Sequence, residues 1–289
     1  MDLIDYPKIS IVTPVFNQVM YLEETILSIL NQNYPNLEYI IIDGGSTDGT
    51  VDIIKKYEQR LAYWVSEPDR GMYDAIQKGF DKSTGEIMGW LNADDLLYPR
   101  SLFAVALTFL QHPEANWITS HHTMIDEKGT VIYNGPSIPY CKLHFYLPSK
   151  PWHNYEIGQE STFWRRSLWE RAGSYIDTSL KLAGDYELWI RFFQYDQLFI
   201  VNSLFGMFRS RKGQLSSDIE SYWREADEVM HKFPLSEKEE KIIENYIRKQ
   251  KTTRIINRFK IINGRVISRL SKLEGLYFRT PQNIGYDSE

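Results

Sequence analysis

Two adjacent carboxylates, Asp94 and Asp95, follow Asn92 at the end of an apolar run, residues 87–91. Such a pair repels itself and is costly to desolvate. Hard oxygen ligands of this kind suit Mg²⁺ or Mn²⁺, and an ion held by one or two carboxylates ordinarily shares a phosphate-bearing substrate. The same residues also serve as local structure, since Asp95 is a candidate N-cap for a helix starting near Pro99. Taken alone, the pair fits the cap better, because strand–Asp–helix junctions are common.

Three further polar clusters change that balance. Thr13 to Asn17, Asp43 to Asp48 and Glu67 to Arg70 each close an apolar run of strand length. The runs at 9–13, 38–43, 61–66, 87–91 and 116–120 are predicted strands. Apolar spacing predicts helices over 20–32, 50–57, 72–82 and 100–111. This alternation is the pattern of βαβ units around a parallel sheet. In an open α/β sheet such strand ends share one edge, where ligands bind. A phosphate-bearing ligand with a metal ion accounts for four polar ends on one edge better than caps do.

Beyond residue 120 the rhythm changes. Residues 123–126 and 130–134 form a predicted hairpin around Glu127-Lys128-Gly129. Helices are predicted over 167–172 and from about 183 to 193, with Asp185 in the first turn of the second. On position alone Asp185 is as good a cap as a reactive group. Strands at 198–201 and 204–209 precede Ser210-Arg211-Lys212-Gly213-Gln214.

Composition narrows the class. The chain has 289 residues with 43% hydrophobic and 25% charged, ordinary for a water-soluble globular protein. A net charge of −5 argues against general nucleic-acid binding. One cysteine, Cys141, excludes an intramolecular disulfide and a cysteine-based zinc site. Neither a signal-type apolar core nor a run of ~20 apolar residues is seen, so the expected compartment is the cytoplasm.

The motifs together resemble family 2 glycosyltransferases, inverting and nucleotide-sugar dependent. They are T-P-V-F-N (13–17), D-G-G-S-T-D-G-T (43–50), E-P-D-R-G-M-Y-D-A (67–75), L-N-A-D-D (91–95), G-Q-E-S-T-F (158–163) and G-D-Y-E-L-W (184–189). The resemblance implies a GT-A fold over residues 1–217, a Rossmann-like mixed α/β sheet flanked by helices, with a helical extension over 218–289. It implies that Asp43 meets the nucleotide base, with Pro14 and Asn17 nearby, and that Asp69 and Arg70 face base or phosphates. Asp95 matches the ligand of a Mn²⁺ or Mg²⁺ ion on the diphosphate, and Asp94 a sugar or ribose contact. Asn92 replaces a common acid. Gln159 and Glu160 match positions lining the donor sugar or acceptor, and Asp185 the catalytic base. Many relatives carry a histidine where this chain has Arg211, which neutralises phosphate but cannot ligate a cation. Arg211 as a mere surface charge is the alternative.

The implied reaction moves a sugar from a nucleotide sugar, UDP-linked by family habit, to a saccharide or lipid-linked acceptor of a surface polysaccharide. A nucleotidyltransferase is one alternative, but it needs a glycine-rich basic loop where this chain reads P-V-F-N-Q. An inactive nucleotide-binding scaffold is another, against which Asp43, Asp95 and Asp185 stand together. The tail, residues 249–279, carries nine Lys/Arg against one acid, Glu274, with apolar residues every three or four positions. A basic amphipathic helix suits an anionic membrane surface on the inner face of the cell membrane. Packing on the acidic domain, or a homo-oligomer contact, is the competing expectation.

Overall fold

The structure is a computed structural model that describes residues 5–135, 141–146 and 157–260, with side chains to residue 248. In chain order the elements are β1 (Ile9–Val15), α1 (Leu22–Leu30), β2 (Leu37–Asp43), α2 (Thr50–Tyr57), β3 (Tyr63–Ser66), α3 (Met72–Lys82) and β4 (Ile87–Trp90). Then come β5 (Leu96–Leu97), α4 (Ser101–Gln111), β6 (Trp117–Thr119), β7 (His122–Ile125), β8 (Val131–Gly135), β9 (Thr162–Arg165) and α5 (Arg166–Arg171). The last are α6 (Gly184–Phe192), β10 (Phe199–Ile200), β11 (Gly206–Arg209), α7 (Ile219–Lys232) and α8 (Glu237–Lys260).

Seven strands form the main sheet in the order β10-β6-β9-β4-β1-β2-β3. β1 pairs in parallel with both β2 and β4, and β2 with β3. The strands at the centre are buried almost throughout because helices cover both faces. Successive side chains point to opposite faces. Val12, Ile40 and Ile42 therefore join α3, α6 and α7, whereas Ile9, Ile11 and Ile41 join α1 and α4. α3 lies so close to β1 that a Cβ on Gly79 would sit 2.3 Å from Val12, so only glycine fits there.

β9 departs from the sequence expectation. Residues 162–165 carry no strand prediction, yet they form a strand antiparallel to both β4 and β6. Its direction puts its beginning, not its end, at the edge where β1, β2 and β4 finish. Residues 158–161 reach the site for that reason. A second sheet, β5-β11-β7-β8, stands beside this edge.

α7 joins the main core through Ala226 and Val229, both fully buried. Ser236 and Glu239 form a capping box at the start of α8, with Ser236 N–H donating to Glu239 Oε2 at 2.8 Å. The backbone of α8 runs to Lys260; the rest of the basic stretch, residues 261–279, lies outside the described residues. Among the described residues no helix is long and apolar enough to cross a membrane.

Candidate functional site

The Asp94–Asp95 turn is pinned from α1. Thr25 Oγ1 donates to the carbonyls of Ala93 and Asp95 at 3.0 and 2.9 Å, and Leu97 N–H donates to Ser28 Oγ at 3.1 Å. The helix-cap alternative for Asp95 fails here. α4 begins at Ser101 behind Arg100, which has φ 66°, and Asp95 does not cap it. Instead Asp95, 2% exposed, accepts from Arg209 N–H at 2.8 Å and from Asn92 Nδ2 at 3.3 Å. Burial, then Asp94, then Glu160 push its carboxyl well above the ordinary range.

Arg211 is not a surface charge. Its Nε lies 2.6 Å from Asp94 Oδ2, with both side chains largely buried, and its guanidinium sits 5.4 Å over the Tyr21 ring. Arg209, which sequence reasoning did not single out, is fully buried at its side chain. It donates to Asp94 O at 2.7 Å and to the Asp126 and Glu127 carbonyls, and pairs with Glu24 at 2.6 Å. It ties β11 to the acidic turn. The available signal was an arginine closing the mostly apolar run 204–208.

Asp43 is completely buried and organises its own loop. Oδ2 accepts from Gly45 N–H, Ser46 N–H and Ser66 Oγ, and Oδ1 accepts from Ser46 Oγ. Asn17, at φ 50°, docks that loop on the end of β1: its Oδ1 accepts from Thr47 N–H at 2.9 Å, and its N–H donates to Ser46 Oγ at 2.7 Å. Pro14 is a buried residue of β1 opposite Ile42. Asp69 lies against Gly44, where a Cβ would approach its Oδ2 to 2.6 Å, and accepts from Gly71 N–H at 2.8 Å. Burial raises its carboxyl. Arg70 is exposed and pairs with Asp74 at 2.6 Å.

Gln159 Nε2 donates to Trp90 O at 2.6 Å, at the end of β4. Its Oε1, like Asn92 Oδ1, is buried with no hydrogen-bond partner among the described residues. Glu160 is 4% exposed, accepts from Ser161 Oγ at 3.1 Å and lies 3.5 Å from His122. Asp185 occupies the first turn of α6, after Gly184, and its Oδ1 accepts from Tyr186 N–H at 2.8 Å. The cap position belongs to Ala183, so Asp185 is not the N-cap. One turn on, Trp189 stacks on Trp90 at 5.9 Å. That contact packs the middle of α6 against the end of β4.

The donor set suits a divalent ion completed by a ligand's own phosphates. Asp94 and buried Asp95 would supply its carboxylate oxygens, hard donors of the kind it takes. Among the described residues no group of three His, Cys, Asp or Glu side chains forms a closed cage.

Residues 10–172 match the family model described as glycosyl transferase family 2. An uncharacterized glycosyltransferase of Rickettsia typhi is 28% identical over 207 residues, covering 67% of this chain and 61% of that relative's length. A Bacillus subtilis glycosyltransferase named for teichuronic acid biosynthesis, TuaG, is 30% identical over 127 residues, 43% of this chain and 50% of the relative. S. aureus TarS residues 1–349, solved with UDP-GlcNAc, superposes with TM-score 0.62 at 18% identity over 82% of this chain and 70% of TarS. The chain thus spans 61% and 50% of the lengths of these two relatives, and its fold is the expected GT-A mixed sheet flanked by helices. With the family model covering more than half of its length, the chain belongs to glycosyl transferase family 2.

Proposed function

We propose that this chain moves a sugar from a UDP-sugar to a saccharide or lipid-linked acceptor with inversion at the anomeric carbon, in cell-surface polysaccharide synthesis. One observation supports the reading: the Asp94–Arg211 pair and buried Asp95 follow the end of β4, and Trp189, one turn after Asp185, stacks on Trp90 of that strand. The choice of UDP and of a polysaccharide draws on TarS, solved with UDP-GlcNAc, and on TuaG's name.

The loops held by Asp43 and Asn17 receive the nucleoside, and Arg211 turns from Asp94 to the donor's diphosphate. Asp185 takes the proton from the acceptor hydroxyl. That oxygen bonds to the anomeric carbon as the carbon–phosphate-oxygen bond breaks, and the nucleoside diphosphate leaves with the electron pair. One displacement inverts the centre. Gln159 Oε1 and Asn92 Oδ1, buried acceptors, accept hydrogen bonds from hydroxyls of the sugar or acceptor. Mn²⁺ or Mg²⁺ held by Asp95, with Asp94 beside it, would neutralise charge developing on the leaving diphosphate.

The test is hydrolysis of UDP-glucose, UDP-galactose, UDP-GlcNAc and GDP-mannose with Mn²⁺, by wild type and Asp185→Asn. Turnover should fall at least about 100-fold in the variant while UDP binding by calorimetry stays unchanged. Full turnover in Asp185→Asn would remove it as the base.

A further inference from the structure

The segment leading into α6 is poorly equipped to hold itself. Its cap residue is Ala183, which has no side-chain acceptor, and residues 181–183 offer three successive backbone N–H groups. One carboxylate from a distant helix collects all three. Glu225, on α7, accepts from Lys181 N–H at 3.0 Å through Oε1. Through Oε2 it accepts from Leu182 N–H at 2.8 Å and Ala183 N–H at 3.0 Å. A carboxylate on successive N–H groups is a strong, charge-assisted arrangement.

The opposite side of the segment is held too. Tyr73, at the start of α3 and 3% exposed, donates its hydroxyl to Leu182 O at 2.7 Å. Its ring lies under Gly184, where a Cβ would come within 2.7 Å. Asp185 is therefore preceded by a residue seated on Tyr73. It is followed by Tyr186, whose hydroxyl donates to Phe145 O at 3.0 Å and whose ring meets Trp223 edge-on at 6.3 Å. Glu225 itself is fixed by its fully buried neighbour Ala226.

We infer that Glu225 is a positioning residue for the proton transfer: it fixes the backbone of residues 181–183 and thereby the place of the Asp185 carboxylate relative to the acceptor hydroxyl. This rests on the reading of Asp185 as the base. α7 is then part of the catalytic apparatus, although it carries no family motif.

The full chain is compared with Glu225→Ala, Glu225→Gln and Asp185→Asn. Hydrogen exchange by mass spectrometry reads the amides of 181–187, and hydrolysis of the same four nucleotide sugars gives kcat and KM. Glu225→Ala should raise exchange at 181–183 at least about tenfold, with the amides of α7 unchanged. Its kcat should fall about 100-fold, as expected for a reacting group displaced by about 1 Å, with donor KM and UDP affinity within about threefold. Glu225→Gln keeps one acceptor oxygen and should recover about tenfold of that loss; it also serves if the alanine variant fails to fold. Wild-type kcat in both Glu225 variants, with Asp185→Asn inactive, would overturn the positioning role alone. Full turnover in Asp185→Asn would overturn the base reading and this inference with it. A parallel fall in kcat and UDP affinity in Glu225→Gln would show a general structural role and also overturn it.

Discussion

At the scale of single residues, the contact between Arg211 and Asp94 sets the site's electrostatics. A guanidinium 2.6 Å from a carboxylate, with both partly buried, lowers the negative charge an incoming diphosphate must meet. In the proposed reaction the same group turns to the donor's diphosphate with a charge-assisted hydrogen bond. Arg211→Ala should therefore raise the KM for a UDP-sugar roughly tenfold, the loss of one charge-assisted hydrogen bond. Arg211→His restores a cation ligand and should lower the Mn²⁺ concentration giving half-maximal hydrolysis. A metal titration of initial rates checks this, and an unchanged midpoint in the histidine variant would sink it. Asp94, Asp95 and Asp185 were legible as candidates because each falls in a short motif that local sequence alone displays, although such positions are common for caps as well. Which of them are already engaged was not legible. Arg211 meets Asp94 across 117 residues, and Glu225 meets Leu182 across 43. No local pattern encodes such pairings.

At the scale of elements, long apolar runs were readable and short ones were not. β1, β2 and β4 are continuous buried runs separated by amphipathic helices, so their parallel arrangement follows from spacing, whereas the place of β1 between β4 and β2 does not. β9 has four residues running into Arg165-Arg166, and it gains its strand conformation only by insertion between β4 and β6. Two-residue β5 depends likewise on its partner β11. The central pairing of β1 with β2 has its own polar fastening. Glu38, on β2, accepts from Ser10 Oγ of β1 at 2.5 Å and from Thr84 N–H at 2.6 Å, and Lys8 lies 2.6 Å away. Burial pulls its carboxyl upward, but hydrogen bonds from Lys8, Ser10 and Thr84 overcome it and hold the group at about 2. Folded Glu38 thus binds its proton more weakly than unfolded Glu38. Its contribution is complete above the unfolded value of 4.5 and is lost as pH falls toward 2. Glu38→Gln should cost about 3 kcal/mol near pH 7 by urea denaturation. The gap from wild type should narrow between about pH 5 and about pH 3; a constant gap would show that the charge is not the stabilising feature.

At the scale of the whole molecule, the chain joins an acidic catalytic face to a basic tail. The boundary that matters lies beyond α7, since Ala226 and Val229 belong to the core and Ile243 of α8 is also buried. A chain ending at residue 250 keeps these contacts and removes most of the basic stretch, in which nine Lys/Arg stand against Glu274 in a protein of net charge −5. We propose that this stretch holds the enzyme at an anionic membrane surface, where a lipid-linked acceptor would be presented. Each basic residue near such a surface contributes about 1 kcal/mol, screened within a Debye length of about 8 Å at physiological salt. The full chain should co-sediment with vesicles containing about one third anionic lipid, and less as salt rises. The chain ending at 250 should remain in the supernatant while hydrolysing nucleotide sugar at the full rate. Equal sedimentation of the two proteins would assign the tail to packing on the domain or to contacts between copies. Retention on neutral vesicles as strong as on anionic ones would remove charge as the cause.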